Sequence, residues 1–144
     1  MAYLRDYQVR GFINQELRDA VYARLTSEIT DVVVWDGTAP PDADYPLIII
    51  GGARNADASS KTNYADDIVL TIDVFTHEPA YVKNTMISQE ILKWISQGPL
   101  YVDDSWFVTG VKLDTPSLIQ MRDAFAARAH GILMLRFTVR NNGE

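Results

Sequence analysis

The sequence predicts an α+β domain: an antiparallel-rich sheet of five to six strands, with two helices packed on one face. Strand-like segments come in consecutive runs and do not alternate strictly with helices, which is typical of this class. Apolar residues recur every second position most clearly over residues 67–77, form short unbroken runs in the two strand-like segments before it, and recur every third or fourth position in two longer segments. The 144 residues suit one domain with its own core, so we assign residues 1–144 to a single domain.

The first helix is predicted over residues 14–28, "NQELRDAVYARLTSE". Leu17, Val21 and Leu25 fall on one side of such a helix, which indicates a stripe that packs on the sheet. Asn14 is expected to cap the helix, because its side-chain oxygen can accept hydrogen bonds from the first backbone N–H groups.

Three strands follow, over residues 31–37, 45–52 and 67–77. The last of these alternates most clearly, which predicts a half-buried antiparallel strand. One face is expected to carry Ile68, Leu70, Ile72 and Val74, and the other Val69, Thr71, Asp73 and Phe75.

The second helix is predicted over residues 78–99, where Pro79 suits the first helical position and Gly98-Pro99 ends the segment. Its buried stripe is expected to consist of Ile87, Ile91, Trp94 and Ile95. A strand over residues 105–115, continued by 117–121, and a closing strand over 130–141 complete the prediction.

Charge and composition argue against several function classes. Thirteen Lys and Arg stand against nineteen Asp and Glu, and the cations are scattered singly. Tight binding of nucleic acid needs clustered cations. The absence of cysteine excludes disulfides, thiolate metal sites and a cysteine nucleophile. No apolar run approaches the roughly 20 residues that cross a bilayer, and the start does not look like a signal peptide. We expect a cytosol-like environment and no membrane.

A strand, a glycine pair and a Lys-Thr pair suggest a nucleotide-binding loop, but the residues do not match the motif of such a loop. The motif needs G-x-x-x-x-G-K-[ST]. With Lys61 and Thr62 aligned, Asn55 and Ser60 occupy both glycine positions. A strand, not a helix, follows, so no helix dipole would face the phosphate. We predict no nucleotide site.

An acid–base or metal-dependent enzyme is the alternative from another class. It would use Asp66, Asp67, His77 or Asp103. His77 begins a sequence like H-E-x-x-H, but Tyr81 stands where the second ligand belongs. We interpret the acidic pairs as solvated turn residues. No catalytic residue, metal site or cofactor is predicted.

The connection over residues 51–67 is far longer than the two to five residues usual in a hairpin. Its Ala, Asn, Asp, Ser, Lys and Thr residues provide no core. A loop of this kind suggests a contact function, in which the hairpin orders against a neighbouring subunit. The alternative is a floppy loop without a function.

Six short sequence features follow one another along the chain. They are Tyr45-Pro46, Gly51, Lys61, Phe75, Arg122-Asp123 and Gly131. With "LIIIGG" after Tyr45-Pro46 and the order of elements, the chain resembles the tail-completion, or tail-terminator, proteins of long-tailed bacteriophages over about residues 12–140. The stretch "AFAARAH" at 124–130 is longer than the usual turn of that family.

The resemblance implies a structural protein without catalytic residues. Such proteins form rings, commonly of six subunits, that cap the head-proximal end of the tail tube, stop its polymerisation and present a surface to the head-completion, or stopper, protein. DNA would pass through the lumen without specific binding, and an acidic wall would keep it from sticking. The expected location is the neck of the virion, after synthesis in the host cytoplasm. A head-side connector in the same assembly is the alternative.

Residues for contact with a neighbouring subunit or partner are predicted in the long hairpin and in the last turn. They are Arg54, Lys61, Tyr64, Asp66, Arg122 and Asp123.

Overall fold

The computed structural model describes residues 12–56, 65–77, 81–123 and 128–141. In that part of the chain two helices and five strands follow one another. They are α1 (Asn14–Glu28), β1 (Val33–Asp36), β2 (Leu47–Asn55), β3 (Ala65–His77), α2 (Tyr81–Ser96), β4 (Trp106–Asp123) and β5 (Arg128–Asn141). The predicted α+β class is confirmed.

The five strands form one sheet in the order β1-β2-β3-β5-β4. Only the short β1 runs parallel to its neighbour, while the other three pairs are antiparallel. The central strand β3 pairs along its whole length with β5, from Ala65 opposite Arg140 to His77 opposite Arg128. Because the order is linear, β1 and β4 are the two edges of this sheet.

Two ends of the sheet are used as reference points. The hairpin end is where β2 finishes at Asn55 and β3 begins at Ala65. The turn end is where β3 finishes at His77 and β5 begins at Arg128. Helix α1 starts at the hairpin end, since the side chain of Asn14 reaches Asn55, and its last turn leads to β1 at the turn end.

Both helices pack on one face of the sheet, and the predicted stripes form the core. Leu17, Val21 and Leu25 of α1 are buried, as are Ile87, Ile91 and Ile95 of α2. They meet the alternating residues Ile68, Leu70, Ile72 and Val74 of β3 and Leu133, Leu135, Phe137 and Val139 of β5. Trp94 is only partly buried. Neither of the described helices is long and apolar enough to cross a membrane.

A buried amide fixes α2 to the sheet. Asn84 is fully buried, and its Nδ2 donates to the carbonyl of Val74 at 3.0 Å. Its Oδ1 accepts from Nε2 of Gln120 on β4 at 3.1 Å. A Cβ atom on Gly131 would lie 2.2 Å from this Oδ1. The absence of a side chain at Gly131 therefore makes room for the amide.

Backbone carbonyls at the end of α2 accept hydrogen bonds from a side chain of α1. Helix α2 ends at Ser96, and Gly98 takes a positive φ of 77°. Arg24 donates to the carbonyls of Trp94 at 3.0 Å and Gln97 at 2.7 Å. A cation at the last carbonyls of a helix is favourable, so this contact also holds the two helices together.

The start of α1 differs from the prediction. Ile13 occupies the cap position and makes no side-chain capping hydrogen bond. Asn14 is the first helical residue, and its Nδ2 donates to the carbonyl of Ala53 and to Oδ1 of Asn55 at 3.2 and 3.3 Å. The expected cap is wrong because Asn14 is already helical, one residue past the cap position, and its Nδ2 is bound to acceptors of β2.

The strands extend into the predicted long connection from both sides. Strand β2 continues through the glycine pair to Asn55, with a register shift between Ile50 and Ala53. Such a bulge bends a strand and increases its twist. The connecting residues 56–64 are described only at Ala56, whose N–H donates to the carbonyl of Asp67 at 2.9 Å.

Strands β4 and β5 form one long antiparallel pair. The two predicted segments at 105–115 and 117–121 are a single strand, β4, whose pairing with β5 shifts between Leu113 and Leu118. A second shift lies between Val108 and Gly110. Strand β5 begins two residues before the predicted start, at Arg128.

Candidate interaction surface

The sheet face opposite the helices is left uncovered by the described helices. We call it the open face. It presents the residues of β3 and β5 that alternate with the core residues, and most of them are partly exposed. They include Thr71, Asp73, Phe75, His130, Ile132, Met134 and Arg136.

An ion-pair network spans the open face. Nη2 of Arg54 on β2 lies 3.5 Å from Oδ2 of Asp114 on β4, although β3 and β5 separate these strands. Three strand spacings separate the backbones of these two strands by about 14 Å, and the two side chains bridge that gap. Arg136 joins the network, with Nε 3.3 Å from Asp114 Oδ1 and Nη1 3.8 Å from Asp67 Oδ2. Val69 is buried on this same face.

The predicted contact residue Arg54 is accessible in this network. Its side chain is 61% exposed, whereas that of Asp114 is 14% exposed. Ion pairs with one exposed partner contribute at most about 1 kcal/mol. The guanidinium of Arg54 can therefore exchange this carboxylate for one on another protein at little cost.

Aromatic rings cluster at the turn end of the open face. Phe75 and His130 stack with ring centroids 4.2 Å apart, and Tyr45 lies 6.1 Å from Phe75 and 5.5 Å from His77. Nε2 of His130 is 2.8 Å from Oδ1 of Asp73. A carboxylate only accepts, so the network assigns the proton to Nε2.

Asp66 is buried, whereas the sequence predicts a solvated turn residue at this position. It is 2% exposed and lies on the helix side of β3. Nδ2 of Asn55 donates to its Oδ2 at 2.6 Å, and Asn55 is in turn bonded to Asn14. The interpretation as a solvated turn residue is wrong, because pairing with β2 brings an amide donor to the carboxylate. Asp66 holds the root of the hairpin from inside the domain.

The other predicted contact residues divide between the two ends. Lys61 and Tyr64 lie outside the described residues, within the connection between β2 and β3. Arg122 and Asp123 end β4, and their backbones pair with Ala129 and Arg128 at the turn end. The two ends of β3 are about 40 Å apart at 3.3 Å per residue, so the structure does not bring the predicted set together.

The residues of the enzyme alternative do not converge. Asp66 and Asp67 point to opposite faces of β3, and His77 lies at its far end. Oδ1 of Asp103 accepts from the backbone N–H groups of Ser105 and Trp106, at 2.7 and 2.8 Å, within a turn. Among the described residues, no three histidine or carboxylate side chains are grouped so that they could hold a metal ion.

A groove of about 730 Å³ lies at the turn end, between the end of α1 and the first half of α2. We call it the helix groove. Val82 and Met86 on its wall are 75% and 59% exposed. The sequence reasoning missed both. The available signal was their own four-residue spacing, one position away from the Ile87–Ile91–Ile95 stripe.

Comparison with known proteins gives a fold match. No family profile and no curated protein sequence matches the chain. A chain from the virion of the native gene transfer agent (GTA) particle aligns with a TM-score of 0.66 and 20% identity, over 86% of this chain and 94% of that one. The gp17 protein of bacteriophage SPP1 aligns with a TM-score of 0.55 and 21% identity, over 90% and 93%. The chain therefore shares its fold with a virion component and a bacteriophage protein, which confirms the resemblance seen in the sequence at the level of the fold.

Proposed function

We propose that this protein is a structural component of a phage or phage-like tail, located in the neck of the virion. It forms a ring of about six subunits at the head-proximal end of the tail tube, stops tube polymerisation and presents a surface to the head-completion protein. The observation that carries the proposal is the fold shared with a virion chain over 86% of this chain and 94% of that one.

The shape of the sheet is suited to ring assembly. Two different edges, β1 and β4, lie on opposite sides of one sheet. A contact between two different surfaces of identical subunits propagates, and it closes into a ring when the rotation is right. Strand addition at an edge supplies backbone hydrogen bonds for such a contact.

The chemistry of the described residues favours binding over catalysis. The acidic residues that an enzyme would use lie on different faces and in a hydrogen-bonded turn. The net charge of −6 fits a channel that lets DNA pass without holding it. The partners in this proposal are further copies of the chain, the tail tube protein and the head-completion protein, with no cofactor and no membrane.

Native mass measured by light scattering over a concentration series tests the proposal. We expect a species of about six times the 16.2 kDa chain mass, either alone or on addition of tail-tube protein. A strict monomer or a compact dimer that ignores tube protein would contradict it. A ring that binds head-completion protein but not tube protein would favour the head-side connector.

A further inference from the structure

The helix groove has the composition of a docking site. Its floor is formed by buried Ile29, Val32 and Ile87, and its wall by the exposed Val82 and Met86. Large apolar side chains that stand this far out of the surface beside a concave apolar floor mark a binding site more often than scattered exposed residues do.

The rim of the groove is acidic on balance. Glu28, Asp31 and Glu90 contribute three carboxylates, while Lys83 and Lys93 contribute two ammonium groups. The Nζ of Lys93 lies 4.6 Å from the ring centroid of Trp94, so part of its charge already faces an aromatic ring. The occupant that fits is apolar with a basic excess.

The first eleven residues of this chain have that chemistry. The segment "MAYLRDYQVRG" carries two arginines against one aspartate. Its apolar residues Tyr3, Leu4 and Tyr7 stand at three- and four-residue spacing, the spacing of anchors that enter a groove between helices. We propose that residues 1–11 of one copy occupy the helix groove of a second copy. This inference rests on the proposed ring, in which copies are neighbours.

The geometry favours a second copy over the same copy. The segment joins the described chain at Phe12, at the hairpin end, whereas the groove is at the turn end. The 15 residues of α1 separate the two by about 22 Å. About seven residues in an extended conformation would be needed to span that distance. The anchor Tyr7 would then lie outside the groove of its own copy, whereas the groove of a second copy is not held at this distance.

The connection between β2 and β3 is the competing occupant, since it also starts at the hairpin end. Residues 56–64 carry one lysine and one aspartate, which cancel, and Tyr64 is their only large apolar side chain. They match the acidic and apolar groove less well than residues 1–11 do.

The absence of natural cysteine allows a direct test by disulfide trapping. Full-length Tyr7→Cys protein is mixed with full-length Met86→Cys protein under mild oxidation and analysed on a non-reducing gel. The control pair is Tyr7→Cys with Tyr101→Cys, because Tyr101 is 68% exposed and lies outside the groove. We expect about tenfold more disulfide-linked heterodimer for the groove pair, since a disulfide forms only when the Cα atoms come within about 7 Å.

The other outcomes distinguish failure of this inference from failure of the proposed ring. A disulfide only within the Tyr7→Cys/Met86→Cys double variant would overturn the exchange between copies. Trapping of Met86→Cys by Tyr64→Cys, and not by Tyr7→Cys, would assign the groove to the hairpin connection and overturn the inference. A ring by light scattering with no trapped heterodimer would do the same while leaving the ring intact. A trapped heterodimer without any ring would support the exchange and contradict the ring.

Discussion

Replacing Gly131 with alanine tests how firmly α2 is fixed to the sheet. The added Cβ would lie 2.2 Å from Oδ1 of Asn84, 3.2 Å from its Cγ and 3.4 Å from its Nδ2. The side chain of Asn84 is fully buried, so it has no open space into which to turn. It must give up its present position, and with it the hydrogen bonds to Val74 and Gln120.

The expected loss of stability follows from two terms. Forcing an extra carbon into a packed core costs about 1–3 kcal/mol. Leaving a buried donor or acceptor without its partner costs about 1–3 kcal/mol more. We expect Gly131→Ala to lower the free energy of unfolding by about 3 kcal/mol, a large part of the roughly 5–15 kcal/mol of a typical domain. Urea denaturation followed by circular dichroism measures this difference.

Two comparisons isolate the cause. A Cβ on Gly52, another strand glycine, meets nothing within 4 Å, so Gly52→Ala should change stability by less than about 1 kcal/mol. In an Asn84→Ala background the obstructing amide is gone, and Gly131→Ala should then cost little. An equal cost of Gly131→Ala in both backgrounds would refute the steric explanation, because the double-mutant cycle would show no coupling.

Three further substitutions test the hairpin root and the open face. Asp66→Ala removes the buried acceptor of Asn55 and should cost about 2 kcal/mol, since the amide is left without this partner. Arg54→Ala should cost less than about 1 kcal/mol because its side chain is exposed, whereas Asp114→Ala should cost more because it deprives both Arg54 and Arg136 of a partner. Urea denaturation measures the effect of each of the three substitutions.

The controls for these variants use exposed positions. Asp44→Ala changes an exposed carboxylate in the loop before β2 and should leave stability within about 0.5 kcal/mol. If Asp66→Ala is as mild as Asp44→Ala, the buried contact does not hold the hairpin root. If Arg54→Ala costs more than Asp114→Ala, the network is organised around Arg54 and the description of its energetics is wrong.

The periodic parts of the fold could be predicted from the sequence because burial imposes a local pattern. Alternation in β3 and the stripe of α1 are both visible within a dozen residues. The strand order could not be predicted in this way. Strand β5 inserts between β3 and β4, and β1 pairs in parallel with β2, through contacts between distant segments.

The wrong predictions for two polar residues have the same cause, which is contact between segments that are distant in the sequence. Asp66 looks like a turn residue in an acidic pair, and only its pairing across to Asn55 shows that it is buried. Asn14 is a residue type that caps helices, but it lies one position inside α1, where its Nδ2 donates to the carbonyl of Ala53. The helix groove is likewise a product of how α1 and α2 are placed, which no local pattern specifies.

The proposed ring requires two different surfaces on each subunit, and the predicted contact residues provide a test. Lys61 and Tyr64 belong to the hairpin, whereas Arg122 and Asp123 lie at the turn end. Lys61→Glu/Tyr64→Ala and Arg122→Glu/Asp123→Lys should each prevent ring closure while leaving the circular dichroism unchanged. Reversal of the exposed Glu16 to lysine is the charge control and should leave the ring intact.

Mixing these two variants distinguishes a head-to-tail contact from a two-fold contact. In a head-to-tail assembly, each variant retains one intact surface, and the two intact surfaces complement each other. The mixture should therefore form a dimer of one copy of each variant, and it should stop there because the remaining surfaces are both defective. Light scattering would give about twice the chain mass for the mixture and the chain mass for each variant alone. A two-fold contact uses the same patch on both subunits, so mixing would restore nothing, and the proposed ring geometry would be refuted.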